Sequence, residues 1–263
     1  MFQSKEPSPV SLSGIALHSG EKCTITFRPG KEKGIFFVVN GIRIPALAEN
    51  VTDTVRGTSL KDAHVVEHVL SAVSGLGIGN IEIELTRKEP PAMDGSAEPF
   101  ARALVRGGFS NIQATPLTIN EPIIIKDGES FIEAHPYNGF SVDFTIDFPA
   151  IGIQHFIYED NYLRDIAPAR TFGFIEELEA LINQGLAKGA SLDSALALSN
   201  QGYVNTPRFK DEPVRHKILD LIGDLSLVGA PIHAKIIAKK SGHKLNVALA
   251  VKLREILIKQ GGA

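Results

Sequence analysis

His216 and Asp220 stand four residues apart in VRHKILDLIGDLSLVG (214–229), and Asp224 follows after another four. In a helix that spacing sends the three side chains off one face, so they can share one ion. Counted at ~100° per residue they fall within ~80° of one another, opposite an apolar stripe. Imidazole nitrogen and carboxylate oxygen both suit zinc. A solvated helix face carrying one His and two Asp is the plainer reading of this motif alone. Glu67 and His68 form a second element. Helical neighbours point about 100° apart, so both can border one cavity. There His68 would be a third ligand and Glu67 a general base, with the fourth metal position left to water. The run His64-Val65-Val66-Glu67-His68 also satisfies HxxEH, in which both histidines bind zinc. His243 in SGHKLN (241–246) is expected in a loop after a strand. It is either a general acid oriented by a carboxylate such as Asp224 or a surface histidine.

The elements that carry these residues repeat. Residues 64–85 and 214–238 each read as a helix, a Gly or Gly/Pro stop and a strand. Val66, Val69, Leu70 and Val73 recur with period 3.6, as do Ile218, Leu221, Ile222 and Leu225. Strand-like runs precede each unit, at 23–27 and 34–39 in the first half and at 122–126, 130–134 and 140–148 in the second. Asp-Gly at 127–128 and Asn-Gly at 138–139 are hairpin signals. A helix is expected over 98–108, and the polar stretch SNIQATP (110–116) is the expected seam. Strand groups followed by helices indicate α+β layers in two duplicated domains.

Composition narrows the chemistry. The 263 residues are 43% hydrophobic and 22% charged, as in an ordinary globular protein of one or two domains. A net charge of −3 argues against a nucleic-acid partner. Cys23 is the only cysteine, so any metal must be held by histidines and carboxylates. No apolar run approaches the ~20 residues of a membrane span, and MFQSKEPSPV lacks a signal-peptide core. A cytoplasmic monomer is the expectation.

SGIALHSG (13–20), VEHVLSAVSGLGIGNIEIE (66–84), PAMDGSAEPF (91–100), PYNGFSVDFTIDF (136–148), ARTFGF (169–174), the 214–229 stretch and KSGHKLN (240–246) occur in one order along the chain. In these stretches, which span most of its length, the chain resembles the UDP-3-O-acyl-N-acetylglucosamine deacetylase family, the zinc amidases of lipid A biosynthesis. The resemblance implies Zn²⁺ held by His68, His216 and Asp220, with Glu67 as general base. It implies a protonated His243 paired with Asp224, and Thr171 as the donor to the scissile carbonyl or its oxyanion. Lys217 would contact the substrate's polar head, Phe172 and Phe174 would line its passage, and Lys240 would meet the diphosphate. The implied fold is a sheet–helix–helix–sheet sandwich of two α+β domains, each a mainly antiparallel sheet with helices. The first, 1–113, carries Glu67 and His68; the second, 114–263, carries Thr171, His216, Asp220 and His243. The implied reaction releases acetate and a free amine from an acylated UDP-sugar. Arg56, His135 and Ala190 depart from the family pattern, which leaves open a different N-acetylated sugar as substrate. A non-catalytic protein binding zinc and a sugar nucleotide is the reading from another class. Three ligands beside a Glu suit an open catalytic site better than a structural one.

Overall fold

Alternating apolar residues build a five-stranded and a six-stranded sheet that share one five-strand plan, the sixth strand being a short one paired with the centre of the second sheet. The computed structural model describes residues 6–110 and 114–261. In the first half, β1 (Val10–Ile15), β2 (Lys22–Pro29), β3 (Gly34–Val39) and β4 (Ile42–Pro45) lead through short β5 (Val51–Asp53) and β6 (Ser59–Leu60) to α1 (Glu67–Gly75), β7 (Asn80–Leu85) and α2 (Glu98–Arg106). After a short β8 (Leu117–Thr118) the second half repeats the plan. Its strands are β9 (Ile123–Asp127), β10 (Ser130–Pro136), β11 (Phe140–Phe148) and β12 (Gly152–Tyr158). An inserted region follows, with α3 (Tyr162–Asp165), β13 (Phe172–Phe174), α4 (Ile175–Asn183), β14 (Leu196–Ser199) and β15 (Gly202–Tyr203). Then come α5 (Glu212–Leu225), β16 (Ile232–Lys239) and α6 (His243–Lys259).

The strand orders match position by position: β1-β2-β7-β3-β4 against β9-β10-β16-β11-β12. In both sheets the strand after the long helix is inserted at the centre. It runs parallel to one neighbour, β3 or β11, and antiparallel to the other. Buried side chains alternate along these strands, with Ile25 and Phe27 opposite Leu85 and Ile83 in the first sheet. This duplication explains one departure from expectation. Asp-Gly at 127–128 does turn a hairpin, with Ser130 opposite Asp127. Asn-Gly at 138–139 does not, because β16 lies between β10 and β11. The expected seam at 110–116 falls partly outside the described residues.

Helices α1 and α5 pack against each other between the sheets; α2 covers α1 and β1, while α6 covers α5, β9 and β10. Gly223 makes the central contact possible, since a Cβ there would meet the Glu67 carbonyl oxygen at 2.1 Å. The approach draws the polar face of α5 against the start of α1. His216, Asp220 and Asp224 are therefore buried, not a solvated stripe. Helix α1 begins at Glu67, later than residue 64, because Val65 is left-handed with φ 54°.

Candidate active site

Three elements bring the chemistry together. The first turn of α1 supplies Glu67 and His68, and the middle of α5 supplies His216, Lys217, Asp220 and Asp224. The start of α6 supplies His243, which opens that helix instead of lying in the expected loop. Gly242, extended at φ −144°, ends the preceding connection and turns the chain into α6. Glu67, His68, Thr171, Phe172, Phe174, His216, Lys217, Asp220, Lys240 and His243 all line one cleft of about 500 Å³. Asp224 lies fully buried behind His243.

Asp220 Oδ1 is buried and accepts no hydrogen bond. It faces His216 Nε2 at 3.2 Å and His68 Nε2 at 3.6 Å. His216 Nδ1 lies 3.0 Å from the Ala169 carbonyl and must donate to it, which leaves Nε2 of the neutral ring as a lone pair. Burial pushes the His216 pKa down to about 4, so that neutral form prevails at physiological pH. Two acceptors then confront each other across 3.2 Å in a dry site. A cation between them resolves the conflict, and a buried polar atom without a partner calls for one. The three donor atoms lie within 4.8 Å of one another, so the trio can bind a metal ion. Lys217 donates to the other oxygen, Asp220 Oδ2, at 2.9 Å. Burial disfavours the Asp220 carboxylate, yet the cationic groups around it, His216 when charged and Lys217, hold its pKa well below the ordinary value.

Glu67 is buried beside this trio. Its Oε2 accepts the Thr58 backbone N–H at 2.9 Å, and its Oε1 lies 4.0 Å from His243 Nε2. Burial raises its pKa, the direction that makes a carboxylate a better base near neutrality. His243 is controlled from the other side of its ring, where Nδ1 donates to Asp224 Oδ2 at 2.9 Å. Burial alone would lower its pKa, but Asp224, with Asp220 and Glu67, reverses this and carries it up to about 10.

On the cleft walls, Thr171 is fixed by its backbone: its N–H donates to Gly95 O at 2.7 Å and its carbonyl accepts from Leu196. Phe148 stacks edge-on with Phe172 and lies 6.0 Å from Phe174. Lys240 sits on the rim, paired with Asp147 at 3.0 Å and Glu129 at 3.3 Å. Arg56 projects into solvent and pairs with Glu177 of α4 at 3.0 Å; both residues line the cleft. His135 pairs with Glu133 on its own strand at 2.8 Å.

Two residues that sequence reasoning passed over bind the site together. The buried Thr58 hydroxyl donates to Asp224 Oδ1 at 2.5 Å while its backbone holds Glu67. Asn246 donates to Asp224 Oδ2 at 2.9 Å and accepts from Ser241. Asn246 lies three residues after His243, a spacing that places both on one helix face and could have identified it. Thr58 carries no such signal, because the contact spans 166 residues.

Comparison with known proteins decides the relationship. A family model described as UDP-3-O-acyl N-acetylglycosamine deacetylase matches residues 5–255. The chain belongs to this family. It is 42% identical over 272 residues to a UDP-3-O-acyl-N-acetylglucosamine deacetylase of Haemophilus influenzae (strain PittEE), covering 95% of this chain and 88% of the relative. The deacetylase of the same name from Thermodesulfovibrio yellowstonii is 40% identical, with 97% and 92% covered. A bifunctional enzyme LpxC/FabZ from Chlorobaculum tepidum is 39% identical over 94% of this chain, which spans 62% of that relative's length. Among the described residues, no helix of this deacetylase-family chain is long and apolar enough to cross a membrane.

Proposed function

We propose that the chain hydrolyses the N-acetyl amide of UDP-3-O-acyl-N-acetylglucosamine, releasing acetate and the free amine, an early step of lipid A biosynthesis. The observation that carries this reading is the unpartnered Asp220 oxygen facing two imidazole nitrogens beside a buried glutamate. His68, His216 and Asp220 would hold Zn²⁺, whose ligand preferences the donor set fits. Zinc, when bound, supplies Lewis acidity toward the amide carbonyl and makes water acidic enough to attack near pH 7.

The remaining chemistry belongs to the chain's own side chains. Glu67 Oε1, directed toward His243 and the cleft, takes the proton of the attacking water. The Thr171 hydroxyl donates to the carbonyl oxygen as it gains negative charge. His243, charged because Asp224 supports its Nδ1–H, stabilises that oxyanion with Nε2–H. The leaving nitrogen collects a proton from the Glu67–His243 pair as the C–N bond breaks. Lys217, Phe172 and Phe174 orient the sugar and its acyl chain, and Lys240 meets the diphosphate. The same reading divides the chain at 113/114 and has it working in the cytoplasm as a monomer.

A substrate series tests the proposal. Acetate release should be fastest from UDP-3-O-acyl-N-acetylglucosamine, slower from its unacylated analogue and slowest from free N-acetylglucosamine. Preference for the unacylated sugar would overturn the substrate assignment while leaving the amidase chemistry standing.

A further inference from the structure

Beside His68 and Thr171 lies a second, much smaller cavity that the proposed mechanism has not used. Leu17, Val65, His68 and Thr171 line both it and the main cleft, so the recess adjoins the cleft at one of the metal-binding histidines. Its remaining walls are Pro90, Pro91, Ala92, Gly95 and Phe100. Apart from His68 and Thr171, which it shares with the cleft, the recess is lined by residues without polar side chains.

We propose that this recess receives the methyl group of the scissile acetyl and limits the N-acyl group to two carbons. The inference rests on the deacetylase reading and adds a specificity element to it. Geometry gives the direction. With the carbonyl oxygen at the metal-binding trio and Thr171, and the nitrogen leading back to the sugar in the open cleft, the third substituent of the carbonyl carbon would be directed to the recess that His68 and Thr171 also line.

Volume and rigidity set the limit. The recess measures about 20 Å³. The main cleft measures about 500 Å³ on the same scale, so the recess suits a group of methyl size and not an extended chain. The walls are poorly placed to yield. Val65 is a β-branched residue held left-handed at φ 54°, a conformation that persists only where the surroundings enforce it. Phe100 is fully buried behind the recess, and two consecutive prolines stiffen the facing loop. Gly95, at φ +83°, is pressed against the insert: a Cβ there would meet Ser194 O at 2.1 Å and the Thr171 methyl at 3.2 Å.

The experiment compares N-acetyl, N-propionyl and N-butyryl forms of the same UDP-3-O-acyl-glucosamine on zinc-loaded protein. One methylene too many for an apolar pocket costs roughly 10–200-fold, and that preference in kcat/KM for acetyl over propionyl is expected of the wild type. Val65→Ala and Leu17→Ala, which open the recess from different elements, should each lower that ratio by about tenfold. Ala92→Val, which fills it, should reduce acetyl turnover while zinc stoichiometry is retained. Product binding reads the same wall without turnover: acetate should compete about tenfold better than butyrate. Equal turnover of acetyl and propionyl substrates by the wild type overturns the inference and leaves the deacetylase reading intact. So does an acetyl-to-propionyl ratio unmoved in both widened variants. Failure of the wild type to release acetate at all overturns both.

Discussion

Replacing Asp224 by Asn removes one charge at nearly constant shape and isolates what holds His243 protonated. Asp224 is fully buried and accepts three hydrogen bonds, from the Thr58 hydroxyl, His243 Nδ1 and Asn246 Nδ2. In the metal-free protein the His243 pKa is carried from an ordinary 6.5 to about 10 against the pull of burial. That difference, 10 − 6.5, corresponds to about 5 kcal/mol in favour of the charged ring at ~1.36 kcal/mol per unit. Three carboxylates share it, and Asp224 is the nearest of them. Loss of an adjacent charge moves a pKa by ~1–3 units, and that fall is expected for the His243 ring of Asp224→Asn in an NMR titration of metal-free protein. The sign of the linked stability follows. A raised folded-state pKa gives stability that is fully present below pH 6.5 and lost as pH rises through about 10. The variant should lose part of that pH-dependent component. In zinc-loaded protein the ion's own charge lowers the ring further, so the variant should be largely neutral at pH 8 and slower by ~10²–10⁴. A His243 titration within about half a unit of wild type would refute the assignment of Asp224 as its support.

Three further outcomes are expected. Thr58→Val keeps the backbone bond to Glu67 but leaves Asp224 short of one donor; kcat should fall by about tenfold at unchanged metal content, with a loss of ~1.5–3 kcal/mol in urea unfolding, and Thr58→Ser should restore both. Arg170→Met strands the fully buried Glu212, which Arg170 holds with a side-chain bond of 2.8 Å, and should cost ~3–5 kcal/mol by denaturant titration. Arg56→Leu breaks a half-exposed ion pair with Glu177, so stability should change by less than ~1 kcal/mol. Its effect should appear instead in steady-state kinetics, as a higher kcat/KM for longer acyl chains relative to shorter ones.

The duplicated plan was legible because it is written in local periodicity. The stripes of α1 and α5 and the alternation of β2, β3, β10 and β11 each sit within one element. Strand order was not legible. Nothing local to Asn138-Gly139 shows that a strand ninety residues downstream will enter between its neighbours. The inserted region escaped for a related reason: α4 buries none of its residues, so its pattern has no core to answer to. At the site, His216, Asp220 and Asp224 could be aligned from helical spacing alone, and the family resemblance joined Glu67, His68 and His243 to them. Their burial could not be foreseen, because it depends on the close approach at Gly223. Thr58, which joins the glutamate to the Asp224–His243 pair, is visible only in three dimensions.

The central claim, that a buried two-histidine, one-aspartate site and an adjacent glutamate perform zinc-dependent deacetylation, is tested most directly by pairing zinc content with acetate release from UDP-3-O-acyl-N-acetylglucosamine. Wild type should bind one zinc per chain and release acetate, lose activity on chelation and regain it on reloading. Glu67→Gln should bind the same single zinc yet turn over ~10²–10⁴ more slowly. Undiminished acetate release from chelated wild type, or from zinc-loaded Glu67→Gln, would contradict the account.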